Sequence, residues 1–325
     1  MLADWQGKVS QALVAVIAIV AVVGLVLALA RLTERGRGRE GVTALVYAAP
    51  ALGLLAIGLV YPMVKTAWLS FLDADSSGFV GLDNYAWIFS DPDSLRALVN
   101  TLAWLALAPA LSTVLGLLYA LMVDGSRFES LAKTLMFMPM AISFVGASII
   151  WKFVYTYRDA SRPQIGLLNQ ILVSLGMEPH QFLVDSPWNT LFLIVVMIWT
   201  QTGYAMVLLS AAIKAIPGDI VEAARLDGAS GLRMLREITI PMVRPTLVVV
   251  LTTISIGALK VFDIVRTMTG GQYDTQVIAN TMYDQSFRYG EPGRGSAIAV
   301  LLLIMVIPII AYNVRQMRKN KEVRG

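Results

Sequence analysis

The chain is 325 residues long, 57% hydrophobic and 15% charged, with a mean hydropathy of +0.67. A soluble domain of this length carries more charge and less apolar surface, so the composition excludes an ordinary soluble globule and points to a membrane protein. The net charge is +4, and with no cysteine and a single histidine there is no disulfide, no thiolate metal site and no expected metal ion.

A helix needs about 20 apolar residues to cross a bilayer core. In chain order, uncharged runs that meet or approach that length are 9–30, 41–63, 97–123, 134–151, 186–213 and 295–314. A shorter run, 245–259, spans if Lys260 is tolerated near its outer end. The expected fold is therefore all-α: a polytopic membrane helix bundle, a six-span core with one extra N-terminal span. The first run ends in Ala28-Leu29-Ala30, which resembles a signal-peptide cleavage site. Its apolar core exceeds the about 7–15 residues of a signal peptide, and Arg31, Arg35, Arg37 and Arg39 follow it, so a retained span is expected. Residues 1–41 are read as this extra helix with a flexible basic linker, 42–314 as the membrane core and 315–325 as a basic tail. Pro50, Pro62, Pro109, Pro139 and Pro308 fall inside spans, where kinks are tolerated. The loops 72–96 and 157–185 are long enough for short helices on the membrane face. His180 reads as a solvated residue of the second loop.

Lys and Arg set the orientation. With the amino terminus outside, the inner segments 31–42, 124–133, 214–244 and 315–325 hold 16 basic residues against 7 in the outer segments. A multi-pass protein of the bacterial cytoplasmic (inner) membrane with a cytoplasmic carboxyl terminus is expected.

The most informative segment is the inner loop 214–244. Pro217 suits a helix start, because its missing N–H is not needed there. Asp219 and Glu222 fall in the first turns, where carboxylates suit the helix dipole. Ala223 and Ala224 make a small face, and Gly228 permits a sharp turn. A second helix is expected from Ser230 as N-cap. Leu232, Leu235 and Ile238 form its apolar side, Arg233, Arg236 and Glu237 are more exposed, Pro241 ends it and Pro245 opens the next span. Two uses fit this helix–turn–helix equally: docking a partner, or packing beneath its own bundle.

Glu222-Ala223-Ala224, three residues, Gly228, nine residues, then Ile238-Thr239-Ile240-Pro241 resembles the EAA loop of ATP-driven importer permeases. Ile240 replaces the usual leucine, and Asp227 and Ala229 fit the form common in the sugar branch. Further matches are Phe79-Val80-Gly81-Leu82-Asp83-Asn84-Tyr85, Asn100-Thr101, Phe262-Asp263, Thr269-Gly270-Gly271 and Gly293-Arg294-Gly295-Ser296-Ala297. The last resembles α-glucoside and related oligosaccharide permeases. The resemblance covers about residues 42–314 and implies that Glu222, Ala223, Ala224, Asp227, Gly228 and Pro241 belong to a coupling loop that docks on an ATPase subunit. It implies two ATPase copies, a second permease, an extracytoplasmic sugar-binding protein and a sugar substrate, with the lipid bilayer around the spans and no nucleic acid.

No Gly-x-x-x-x-Gly-Lys-Ser/Thr pattern occurs, so the chain is not expected to be an enzyme or to hold a cofactor. ATP and Mg would be bound by the partner ATPases. For the substrate pathway, polar groups within spans are the candidates, since they are costly in lipid unless they face the bundle interior or water. In the resembling family the two helices flanking the coupling loop line the sugar site, and the matching positions are Gln201, Tyr204, Thr253, Gly257 and Lys260. Such residues equally serve helix packing, and Lys260 and Asp263 are spaced to pair. Competing readings are the same machine for a non-sugar solute, or a secondary transporter. Deep arginines for a phosphate and midplane acids for ion coupling are both missing from the spans. No catalytic residues or metal ligands cluster in the sequence.

Overall fold

The computed structural model describes residues 40–322, with side-chain surroundings for residues 44–316. The expected first span, its arginine linker and the end of the basic tail lie outside the described residues. The chain divides into two units, residues 1–68 and 69–325.

In the first unit, α1 (Glu40–Leu55) continues through a π turn (Ala56–Val60) into α2 (Tyr61–Leu69). Together they give an unbroken apolar helix, Ala44–Leu69, long enough to span. Pro50 is carried inside α1 without ending it. Leu54, Ile57, Leu59 and Tyr61 are all exposed. An apolar helix with no buried face suits lipid or a neighbouring subunit, not water.

The second unit runs through α3 (Asp83–Ser90), α4 (Pro92–Val123), α5 (Glu129–Phe137), α6 (Phe144–Val154), α7 (Leu167–Ser174) and α8 (Trp188–Lys214). It continues with α9 (Gly218–Leu226), α10 (Gly231–Met234), α11 (Ile240–Leu259), α12 (Asp263–Met268), α13 (Ile278–Tyr283) and α14 (Pro292–Glu322). Among the described residues, β pairing is confined to one isolated antiparallel bridge, Leu72 to Phe79. Beside it the Asp73 carboxylate accepts from the backbone N–H groups of Gly78 and Ser77, which hold its pKa below the ordinary carboxylate range. The short helices expected in the loops 72–96 and 157–185 are present as α3 and α7.

Helix α8 is the axis of this unit. Leu193, Ile194, Val196, Met197, Ala205, Met206 and Leu209 are buried around it. Helix α4 meets it through Trp104, Ala108, Ser112, Gly116 and Ala120, one buried residue every fourth position. A Cβ on Gly116 would lie 2.6 Å from the Ala205 Cβ and 2.7 Å from the Met206 N. Without a hydrophobic drive between helices in lipid, such small residues earn close backbone contact instead. Asp91 caps α4, accepting from the Ser94 N–H at 2.9 Å, and Pro92 follows in the first turn.

Two expectations are corrected here. The run 134–151 is not one straight span: α5, a 3-10 turn (Met138–Ala141) and α6 form a pair bent by 103°. Pro139 lies in the break, and Ser143 starts α6 by accepting from the Gly146 N–H at 3.1 Å. Gly203 of α8 faces this corner. A Cβ there would overlap the Met136 carbonyl oxygen and lie 2.8 Å from the Phe137 Cα. The bend is thus packed directly on the central helix. Second, Pro241 does not end a helix and Pro245 does not open one. The chain is helical from Gly231 to Leu259, with a π turn (Leu235–Thr239) just before Pro241 and with Pro245 inside α11. The π turn absorbs the register in which Pro241 lacks an N–H.

Side-chain bonds gather one set of ends of these helices. Asn100 near the start of α4 donates to the Asp274 and Gln276 carbonyls at 2.6 and 2.8 Å. Asn189 at the start of α8 donates to the Tyr273 carbonyl at 2.6 Å. Asn84 donates to the Ser70 and Leu72 carbonyls at 3.0 and 2.8 Å. Several residues of the resembling motifs therefore hold the architecture together. With α4 and α8 starting at this end, the 215–230 elbow lies at the opposite one.

Candidate functional site

Between α8 and the α10–α11 helix the chain makes a compact elbow. Helix α9 starts after Pro217, as the sequence suggests, and ends in a left-handed turn at Gly228, with φ +83°. The Ala229 N–H donates to the Ala224 carbonyl at 2.8 Å and the Gly228 N–H to the Arg225 carbonyl at 3.0 Å. That pair of bonds is a Schellman cap. Ala224 and Ala229, at 8% and 7% exposure, are the elbow's two buried residues, while Glu222, Ala223, Asp227 and Gly228 are exposed. Ala224 and Gly228 therefore shape the elbow, whereas Glu222, Ala223 and Asp227 are left open to solvent. Ser230 takes the extended N-cap conformation of α10 without a side-chain cap bond. Leu232, expected on an apolar inner side, is 77% exposed, and Leu226 is 89% exposed. Leu235 and Ile238 are half-buried, and Arg233 pairs with Glu237 at 3.0 Å on the surface. Pro241 is exposed within α11 rather than part of the turn.

An ionic cluster at the base of the elbow was not read from the sequence. Lys133 Nζ lies 2.6 Å from the Asp124 carboxylate and 2.7 Å from that of Glu129. It also donates to the Ser210 hydroxyl, which donates to Asp124 at 2.7 Å. Lys214, the last residue of α8, pairs with Glu129. The cluster ties the end of α4 and the start of α5 to the end of α8, where the elbow begins. Only the Glu129–Lys133 spacing, four residues on a helix, was a local signal.

The five pathway candidates lie along α8 and α11. Gln201 and Tyr204 are half-buried, Tyr204 against the core around α8. Thr253 is exposed, and a Cβ on Gly257 would touch the Met197 methyl at 3.3 Å. Lys260 ends α11 and lines an apolar groove of about 600 Å³ with Phe262, Tyr283 and Leu303. None of the other four lines that groove. Asp263 begins a separate helix, and among the described residues it forms no ion pair with Lys260. The neighbouring Thr200, Thr202 and Thr252 donate to carbonyls of their own helices at 2.7–2.9 Å. His180 is a loop residue whose ring packs on Phe182 and Phe192, and among the described residues no metal-binding cluster forms.

The family model described as binding-protein-dependent transport system inner membrane component matches residues 112–318. The chain is 50% identical over 279 residues to the osmoprotective compounds uptake permease protein GgtC of Synechocystis sp., covering 86% of this chain and 100% of that one. It is 50% identical over 271 residues to the alpha-glucoside transport system permease protein AglF of Rhizobium meliloti, covering 83% and 81%. Identity to the trehalose/maltose transport system permease protein MalF of Thermococcus litoralis is 30%, over 89% and 99%. The fold matches a chain in the crystal structure of a bacterial ABC transporter that imports alginate, with TM-score 0.72 and 24% identity over 85% and 95% of the two chains.

Proposed function

From the premise that this chain belongs to the family of binding-protein-dependent transport system inner membrane components, we propose that it is the transmembrane permease subunit of an ATP-driven importer of α-glucosides or related oligosaccharides. The substrate class is supported by the α-glucoside and trehalose/maltose relatives. The equally similar relative for osmoprotective compounds favours a second reading, a small osmoprotective solute carried by the same machine.

The energy would come from two ATPase subunits that hold ATP and Mg on separate chains. A second permease would complete the channel, and a binding protein would deliver substrate from outside. The excess of Lys and Arg in the loop segments on the elbow's side of the expected topology supports a cytoplasmic elbow and carboxyl terminus. Residues 42–314 would form the transport core, with residues 1–41 an added helix and linker and 315–325 a cytoplasmic tail.

The observation that carries this reading is the elbow. Its Schellman cap leaves Glu222, Ala223, Asp227, Leu226 and Leu232 uncovered beside an ion-paired base. An apolar surface flanked by charge, projecting beyond the spans, suits insertion into a cleft of a partner. Closure of the ATPases would then tilt α8 and α11, whose faces carry Gln201, Tyr204, Thr253, Gly257 and Lys260 as candidate pathway residues. Binding at the elbow must differ between the two states for this to work.

Gly228 gives the test. Valine is disfavoured at its left-handed φ by about 1–2 kcal/mol, whereas asparagine tolerates it. Gly228→Val should abolish ATP-coupled uptake and weaken co-purification with the ATPase, and Gly228→Asn should keep both. Coupling that survives the valine variant would overturn the elbow assignment. Loss of α-glucoside uptake on deletion of the chain, restored by its return, tests the substrate class.

A further inference from the structure

At the end of the bundle opposite the elbow lies a polar cavity of about 670 Å³ that no part of the coupling or pathway reading uses. Three segments build it. The α3–α4 corner brings Trp87, Asp93 and Ser94. The 270–276 loop brings Tyr273 and Asp274. The segment 284–294 brings Asp284, Arg288, Tyr289 and Arg294.

Its charges are largely neutralised from within. Asp284, 3% exposed, takes the Arg266 guanidinium at 2.9 Å and the Asn280 and Gln276 amides at 3.3 Å. Asp274 pairs with Arg96, and Asp91 caps α4. Arg294 lies over the Trp87 ring, 4.8 Å from its centroid. Asp93 and Arg288, of opposite sign, remain. The cavity therefore offers neither a net positive field for an anion nor a net negative one for a cation. What it does offer is carboxylates, guanidinia and amides, groups that hydrogen-bond hydroxyls, with the exposed rings of Tyr273 and Tyr289 at its lining.

Two observations mark it as built rather than incidental. Ser94, 1% exposed, lines it with a buried hydroxyl that has no hydrogen-bond partner among the described residues. Tyr273 and Asp274 are consecutive non-glycine residues with φ of +56° and +63°. That loop is held in place by Asn189, Asn100 and Arg96, and strained backbone kept by dedicated braces is characteristic of binding sites.

We propose that this cavity is a carbohydrate-binding vestibule, which takes a neutral glucosyl unit at the outer face before the sugar enters the membrane path. It rests on the sugar reading above. The test uses the intact importer, with its partner subunits, in lipid nanodiscs. Binding of radiolabelled maltose and trehalose is measured without the binding protein, on native complex and on Arg288→Gln and Tyr289→Ala, both surface positions. The vestibule requires saturable binding that weakens at least tenfold in these variants and is unchanged in Glu178→Gln, an exposed position that does not line the cavity. A second arm measures docking of the sugar-loaded binding protein. Sugar binding unaffected by the cavity variants overturns the vestibule. If those variants instead weaken only the docking of the binding protein, the cavity is a protein socket and the proposal falls. Whole-cell uptake of the same two sugars separates the cases: uptake without cavity-dependent binding removes the vestibule alone, while no uptake of either removes the sugar reading as well.

Discussion

Leu226 concentrates the elbow's meaning in one side chain. At 89% exposure it contributes almost nothing to this chain's own packing. Replacing it by serine should change the chain's stability by no more than about 0.5 kcal/mol. If Leu226 instead fills a pocket on the ATPase, the same change removes about 2 kcal/mol of association, roughly 30-fold in affinity. Titrating the ATPase subunit against reconstituted Leu226→Ser measures this, and unchanged affinity would exclude Leu226 from the docking face. Some of this was legible from sequence. Gly228 as the turn residue and Pro217 as the helix opener follow from local backbone chemistry, and both are where they were expected. Leu232 was not legible: three-residue spacing with Leu235 and Ile238 suggests an inner face, but no neighbour covers it. Burial depends on what lies across from a residue, and spacing carries no information about that.

The clasp at the base of the elbow is a matter of elements. Asp124, Glu129, Lys133 and Lys214 come from three helix ends separated by up to 90 residues, and the packing of α4 and α8, close at Gly116, brings those ends together. Lys133 is partly buried, so Lys133→Met leaves the Asp124 carboxylate without its cation, while Glu129 keeps Lys214. The expected loss is about 1–3 kcal/mol, between the values of surface and buried pairs. Thermal unfolding of the detergent-solubilised complex should show it as a lowered Tm, with part of the loss recovered in Lys133→Met combined with Asp124→Asn. No recovery would mean that Lys133 acts through packing alone. The bent α5–α6 pair teaches the same lesson. Hydropathy over 134–151 supplies a length sufficient to cross, and Pro139 and Ser143 supply a place to break. The 103° angle follows from the contact of Met136 and Phe137 with Gly203, some 65 residues further on.

For the whole molecule, the arrangement places the 270–276 loop at one end and the 124–129 turn with the elbow at the other. The chain contains no cysteine, so single-cysteine variants report sidedness without background. Gln272→Cys should react with a membrane-impermeant maleimide in intact spheroplasts, and Ser126→Cys only in inverted vesicles. The reverse pattern would turn the molecule over and remove the coupling assignment. The sequence by itself determined the helical class, the membrane environment, the approximate spans and the turn at Gly228, because these depend on local hydropathy, charge and backbone preference. Tertiary structure alone decided the bend of α5–α6, the ionic clasp and the polar cavity at the end opposite the elbow. Each of these depends on residues far apart in the chain being brought within a few ångströms, and close packing is what brings them there.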